Sequence, residues 1–415
     1  MRLPAALRHR DFDLYWFGVV FSQVGTRGTV AANLYQVYEL SRSTVITGLV
    51  GLAQAVSLLV LSPLGGAYAD RLDRRRLLQA TQLLAMVVAG GLAIVTELGR
   101  ANTADVLFCV LLTTAAGTFD QPARQALIPA MVPRRELPQA FALLNPSREL
   151  AVLTGPALAG VFIAIHGPGL MYAFDAATYA VLVVLLGLLR IPRLVPERHQ
   201  PVLASIVAGA RFVRRRPAIW LMMSLDLSAT LFGAYRVVLP AITLTVLHAG
   251  PTAYGLLSSA PSAGALLATA PIVHLVGRGR RTGKILLAGS AGYGVAVLLL
   301  AQSRLLLLAL LAGLLVGACD ALATTIRQAA VQMETPDQIR GRVSSIYQMA
   351  SRGGPAFGDT IIGWLAGLLG PVPALSVGAL VPIGYAALIY LRSPLIRDYD
   401  TAEHGDEKPA DVTHP

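Results

Sequence analysis

The sequence predicts an all-α integral membrane protein with twelve membrane-spanning helices, arranged as two six-helix pseudo-symmetric halves. Three observations carry that reading. The 415 residues are 55% hydrophobic and only 14% charged, against about 25% charged residues in a soluble chain, so most of the surface faces something other than water. Apolar runs long enough to cross a bilayer, about 20 residues each, follow one another with short polar breaks. The chain also repeats: Arg124-Gln125-Ala126 recurs as Arg327-Gln328-Ala329, and at the same offset Pro133 matches Pro336, Gly155 matches Gly358 and Gly160 matches Gly363.

The first run, residues 12–40, contains Arg27 and is long, so it reads as a first span rather than a cleaved leader. Spans two and three, at 45–69 and 77–98, flank a charged turn, Gly66-Ala67-Tyr68-Ala69-Asp70-Arg71-Leu72-Asp73-Arg74-Arg75-Arg76. Spans four, five and six follow at 104–132, 140–166 and 169–190, the last two separated by Gly167-Pro168. The second set runs at 217–247, 252–276, 283–302, 304–333, 342–369 and 371–392, with Gly370-Pro371 between the last two. The expected organisation is a first half over 1–190, a cytoplasmic linker over 191–216, a second half over 217–392 and a disordered cytoplasmic tail over 393–415. Within the linker, residues 204–216 read either as an amphipathic helix on the anionic leaflet or as a solvated connection.

Lys and Arg set the orientation. With the N-terminus in the cytoplasm, about 25 of the 34 basic residues fall on that side. Only Arg42, Arg100 and Arg304 fall outside, and Arg27, Arg124, Arg148, Arg236, Arg327 and Arg352 lie within spans. An even number of spans leaves both termini cytoplasmic. The net charge of +11 is explained by this topology, and nucleic acid is not expected as a partner. Cys109 and Cys319 lie in apolar runs and read as small buried hydrophobes rather than a disulfide framework. No metal-ligand spacing, Gly-x-Ser-x-Gly or phosphate-binding Gly-rich Lys motif is present, so neither an enzyme nor a cofactor is expected.

The loop Gly66…Asp70-Arg71…Arg74-Arg75 resembles the Gly-x-x-x-Asp-Arg-x-Gly-Arg-Arg loop of the major facilitator superfamily, with Asp73 where that pattern has glycine. Its second-half counterpart, Gly277-Arg278-Gly279-Arg280-Arg281, keeps the basic pair and lacks the aspartate. Gly155-Pro156-Ala157-Leu158-Ala159-Gly160 is similar to the Gly-Pro motif of the superfamily's antiporters, with Ala159 replacing a usual glycine. A further run begins Phe119-Asp120-Gln121-Pro122-Ala123-Arg124-Gln125-Ala126-Leu127-Ile128-Pro129 and continues through Val132-Pro133-Arg134. Together with Arg8-His9-Arg10-Asp11-Phe12…Tyr15-Trp16, it resembles the branch containing the bacterial enterobactin exporter and related macrolide and multidrug efflux proteins.

What the resemblance implies has a physical reading for each motif. Asp70 ends span two, where its carboxylate is placed to meet the positive end of a second-half helix. Arg71, Arg74 and Arg75 offer partners to carboxylates, and Gly66 permits close helix contact, making a switchable latch; the alternative is that the arginines only enforce topology. Asp120 and Arg124 stand four apart on one helix face. Burial pushes a carboxylate toward its neutral form and a neighbouring Arg opposes that, so the pair reads as a proton relay or as a structural ion pair. Arg27, with Gln23 and Asn33, is placed to face the same cavity, and Asp226 and Arg236 are the candidates in the second half. Asp320 and Asp359 also lie deep in spans. Arg148 and Glu149 are candidates for a secondary gate. Gly155, Pro156 and Gly160 bend or thin span five, and serve either as a plain kink or as an antiporter determinant. Tyr15, Trp16, Tyr35, Tyr38 and Tyr235 are placed to line a cavity, with Tyr15, Trp16 and Tyr38 read as interfacial anchors.

The resemblance implies a secondary transporter in the inner (plasma) membrane, working as a monomer. By alternating access it would couple protons to efflux of a siderophore or an amphipathic drug-like compound. Proton symport of a small nutrient and lipid flipping use the same fold and stay open at this point.

Overall fold

The computed structural model describes residues 5–69, 73–190, 202–277, 281–336 and 339–400. Every regular element among them is helical. In chain order these are α1 (Arg10–Ser41), α2 (Thr44–Ala69), α3 (Arg74–Glu97), α4 (Thr103–Leu127), α5 (Leu137–His166) and α6 (Pro168–Leu188). Then come α7 (Val202–Arg215), α8 (Pro217–Phe232), the three-residue α9 (Leu239–Ala241) and α10 (Pro251–Val276). The last five are α11 (Thr282–Gln302), α12 (Leu306–Met333), α13 (Arg340–Leu369), α14 (Pro371–Arg392) and α15 (Pro394–Arg397).

Nine helices among the described residues are long and apolar enough to cross a membrane: α2 to α6, α10 to α12 and α14. Side chains such as Ile165, Leu267, Leu307 and Leu368 are more than two-thirds exposed, as they must be where lipid replaces water. Three other expected spans fall outside that set. α8 is short, and α1 and α13 carry polar side chains along their length, among them Arg27 and Asn33 in α1.

Local chemistry sets the helix ends. Asp73 caps α3 by accepting from the backbone N–H groups of Arg75 and Arg76 at 3.0 and 3.3 Å. Asn102 and Asp105 form a reciprocal capping box at the start of α4. Gly167 and Gly370 take φ of 89° and 88°, a conformation glycine reaches without a Cβ penalty. Each is followed by a proline at the first turn of the next helix.

Close contacts divide the chain into two compact units. The first is Met1–His199 with His248–Ser259. Within it α1 packs on α5 and α6, α2 on α4, and α3 on α4 and α6. One core cluster joins Phe12 and Tyr15 of α1 to Leu78, Leu127, Leu182 and Leu186. Tyr15 is therefore a core residue and not an interfacial anchor; its hydroxyl donates to the Arg124 carbonyl at 2.9 Å. Tyr38 is also buried, and Trp16 Nε1 donates to Ser147 Oγ of α5 at 3.1 Å.

The second unit is Gln200–Leu247 with Ala260–Pro415. Here α11 packs on α12 and α14, and α13 packs on α7, α8 and α14. The sequence predicts one continuous span over 217–247, and the structure breaks it. α8 stops at Phe232, and helix resumes only at α9, which runs into a π-helical turn, Ile242–Val246. Pro240 lacks an N–H and its ring clashes with the carbonyl four residues back. That carbonyl, of Arg236, accepts from Leu239 N at 3.3 Å. The Gly233 carbonyl, just past the end of α8, accepts from Tyr293 Oη at 2.9 Å, and Val237 and Val238 are fully buried. Irregular backbone at membrane depth survives only with such protein partners.

α7 starts earlier than the amphipathic stretch expected within the linker, and Val213 in its last turn is buried against protein. Val213 clusters with Ile219, Val343 and Tyr347, and Gly209 lies against the Arg342 carbonyl. Residues 191–201 lie outside the described residues. The chain does not come free at 393 as expected. Ile396 and Tyr399 are buried, the Tyr399 carbonyl accepts from Gly283 N at 2.9 Å, and its hydroxyl donates to Glu334 at 3.3 Å. Residues 401–415 lie outside the described residues.

Replacing Asp73 by alanine removes the cap and is expected to lower unfolding free energy by ~1 kcal/mol, whereas Asp73→Gly lowers it by only a few tenths. Unfolding in detergent micelles, followed by far-UV circular dichroism, measures both.

Candidate functional site

In the first unit α4 carries Asp120 and Arg124 one turn apart, and both side chains are buried. Arg124 Nε donates to Asp120 Oδ2 at 2.5 Å, and Gln82 Nε2 of α3 donates to Asp120 Oδ1 at 3.0 Å. Ser22 of α1 donates to Gln82 Oε1 at 3.3 Å. Thr26, one turn further along α1, shares a 2.8 Å hydrogen bond with Tyr179 of α6 and donates to the Ser22 carbonyl. Four helices thus converge on one ion pair. Its carboxylate is held by the Gln82 amide, itself oriented by Ser22, a hydrogen bond of the kind a buried pair requires to offset its desolvation. Arg124 Nη1 is buried with no hydrogen-bond partner, so the guanidinium keeps one donor in reserve.

The second unit places its charges differently. Arg327, the counterpart of Arg124 in the repeat, pairs at 2.6 Å with Asp226, which lies on α8 rather than on its own helix. Ser351 Oγ of α13 donates to the other Asp226 oxygen at 2.9 Å, and Arg327 also donates to Tyr347 Oη and Thr324 Oγ1. Arg236, in the irregular segment after α8, pairs at 2.8 Å with the buried Asp359 of α13. Asp226 and Arg236, grouped by the sequence reading, are therefore held by different partners. Asp320 is exposed on α12.

The antiporter-like motif sits on α5, which is helical throughout despite Pro146 and Pro156. Its two glycines meet different neighbours. A Cβ on Gly155 would lie 2.7 Å from Arg27 Cβ and 2.8 Å from Gly28 N, both on α1. A Cβ on Gly160 would lie 2.7 Å from Gly255 Cα at the start of α10. In the same unit Tyr254 donates to the Ala31 carbonyl at 2.9 Å and packs against Tyr35 with ring centroids 5.4 Å apart. The motif thus permits backbone-to-backbone approach on two faces of α5.

Of the loop residues, Gly66 lies in α2, whereas Asp70 and Arg71 lie outside the described residues. Arg74 opens α3. Arg75 donates to the Leu189 and Gly187 carbonyls at 2.7 and 2.6 Å, closing the C-terminus of α6. Arg27 is half-buried, as is Arg148, while Glu149 is exposed. Neither Arg148 nor Glu149 makes a hydrogen bond or ion pair among the described residues.

Sequence reasoning passed over Gln82, Ser22, Tyr179 and Asp175. The first three are neutral and carry no signal until helices are packed. Asp175 was legible, since it stands in the apolar α6 and the rule for ionisable residues within spans applies to it as to Asp120. Its carboxylate is almost fully buried.

A model of the family described as transmembrane secretion effector, in the major facilitator superfamily, matches residues 3–412. The enterobactin exporter EntS of Citrobacter koseri is 28% identical over 370 residues, covering 86% of each chain. That of Salmonella paratyphi A is 29% identical over 370 residues with the same coverage. Among solved structures, a mutant of the nucleoside transporter NupG superposes with a TM-score of 0.72 at 15% identity, covering 93% of this chain and 98% of its own. A bacterial homologue of the lysosomal transporter Spinster, inward-facing and occupied, gives 0.73 at 12% identity over 94% and 97%. These likenesses show the fold.

Arg124→Leu strands the Asp120 carboxylate and is expected to cost about 3 kcal/mol of stability. The double variant Asp120→Asn/Arg124→Gln removes both charges and is expected to recover most of that loss. Thermal melts of the two purified variants in one detergent measure the difference.

Proposed function

The chain belongs to the transmembrane secretion effector family of the major facilitator superfamily, and on that premise we propose that it is a proton-coupled exporter of a siderophore or another amphipathic compound. The observation that carries the proposal is the buried Asp120–Arg124 pair within a four-helix polar network. An ionisable pair is rare and costly inside a membrane. This one holds a carboxylate whose proton affinity responds to any change in the Gln82, Ser22 or Arg124 contacts. The family description and the relatives named enterobactin exporters support the direction of transport.

In this reading α1 to α6 form one six-helix half. The interrupted span from α8 to the π-helical turn, with α10 to α14, forms the other, so that twelve spans alternate access with both termini in the cytoplasm. Residues 191–216 join the halves, and the protein works as a monomer in the inner membrane. Asp70, with Gly66, Arg71, Arg74 and Arg75, acts as the cytoplasmic latch, and Arg148 and Glu149 as a secondary gate. Asp226 with Arg327, and Arg236 with Asp359, serve as second-half pairs whose partners lie on separate elements and part when those elements move. Arg27, held against Gly155, borders the substrate path, and Gly155, Pro156 and Gly160 resist proton leak by close packing.

Everted membrane vesicles containing the protein are expected to take up enterobactin or a macrolide when an inward-acidic gradient is imposed, and to stop when a protonophore is added. Asp120→Asn is expected to leave uptake slow and insensitive to the gradient. Undiminished uptake after collapse of the gradient excludes proton coupling.

A further inference from the structure

We propose that Asp175 is a second proton-binding site in the first unit, separate from the Asp120–Arg124 pair and holding its proton in the state described here. The proposal rests on the proton-coupled reading above and deepens it. Asp175 lies on α6 and is 1% exposed. Its side chain points at α1: a Cβ on Gly25 would lie 2.5 Å from Asp175 Oδ1 and 2.5 Å from Thr178 Oγ1. Thr178 Oγ1 donates to the Asp175 carbonyl at 2.7 Å and stands 3.5 Å from the carboxylate oxygen. Unlike Asp120, Asp226 and Asp359, Asp175 makes no ion pair among the described residues.

Among the described residues, no charged group on the helices packed against α6 forms an ion pair with Asp175. On α3, Arg75 closes the far end of α6, and Glu97 stands 3.3 Å from His166 of α5. On α5, Arg148 and Glu149 lie about two turns before Gly155, where α5 meets α1. On α1, Arg27 has its Cβ against Gly155 of α5. On α6 itself, Tyr172 donates to Gln36 Oε1 at 2.7 Å, and Tyr179, one turn beyond Asp175, shares a hydrogen bond with Thr26. What surrounds the carboxyl is therefore hydroxyl and apolar contact. A carboxylate with no countercharge in such a place pays its full desolvation cost, and the neutral acid avoids it.

The location gives the site a use. Tyr179 bonds to Thr26, which bonds to the Ser22 carbonyl, and Ser22 bonds to Gln82, the residue that holds Asp120. Loss of the proton from Asp175 to water leaves a carboxylate at the edge of this network. The new negative charge strengthens proton binding at Asp120, so the two acids exchange protons in an ordered way. Separation of α1 from α6 at Gly25 is the motion that admits water to Asp175.

The test uses the full-length protein in lipid nanodiscs at neutral pH, read by the infrared C=O stretch of protonated carboxylic acids. Wild type is expected to show a band that is absent in Asp175→Asn, displaced in Asp175→Glu and retained in Asp120→Asn. A band unchanged in both Asp175 variants overturns the proposal, and Asp175→Glu serves if the asparagine variant does not fold. In everted vesicles Asp175→Asn is expected to lose the pH dependence of transport while still binding the transported compound; a wild-type pH profile overturns the role in coupling. If wild-type transport ignores the gradient while the infrared band behaves as expected, the coupled-export reading fails and the proton site stands.

Discussion

Inside hydrocarbon a polar group has no water to fall back on, and the need to give each backbone carbonyl and each charge a partner within the protein governs the rest of this structure. It explains why every regular element among the described residues is helical. It also explains the exceptions. Where Pro240 breaks the second-half span, Tyr293 crosses to the Gly233 carbonyl and Thr243 turns back to the Leu239 carbonyl. At the end of α6, Arg75 supplies donors to carbonyls that the helix leaves open.

The same constraint shapes the charged sites, and it does so unequally in the two units. Arg124 finds its carboxylate on its own helix, at a spacing that motion of α4 as a body leaves unchanged. Arg327, at the matching place in the repeat, reaches across to Asp226 on α8, and Arg236 reaches Asp359 on α13. Pairs between separate elements depend on how those elements are placed, whereas a pair within a helix depends on the neutral groups around it. A repeat in sequence thus carries different electrostatic devices in its two copies. The asymmetry of the loops, with Asp70 in one and no acid in the other, is a second instance.

Asp73 shows how a departure from a family pattern is resolved locally. The superfamily loop has glycine at that position, and the carboxylate here caps α3 directly before a run of three arginines. The middle arginine of the three, Arg75, turns to α6 instead of to solvent. Residues that look like one charged cluster in sequence divide into a cap and a C-terminal clamp, and only the neighbouring helices decide which is which.

Composition and periodic apolar runs determined by themselves that the chain is helical and membrane-embedded, because burial in lipid acts on residue type before any tertiary contact forms. They also located most helices to within a few residues, together with the Asp120–Arg124 pair, which shares one helix and is readable from spacing alone. The tertiary structure alone decided that span seven is broken, that α7 packs on α13, that Tyr15 is a core residue, and that Asp226 belongs with Arg327 and not with Arg236. Each of these depends on which helix faces which, and the pairing of faces between helices distant in sequence leaves no trace in local pattern. Gln82 and Tyr179 are the plainest case: neutral side chains on separate helices, they matter only because packing brings them to the same buried charges.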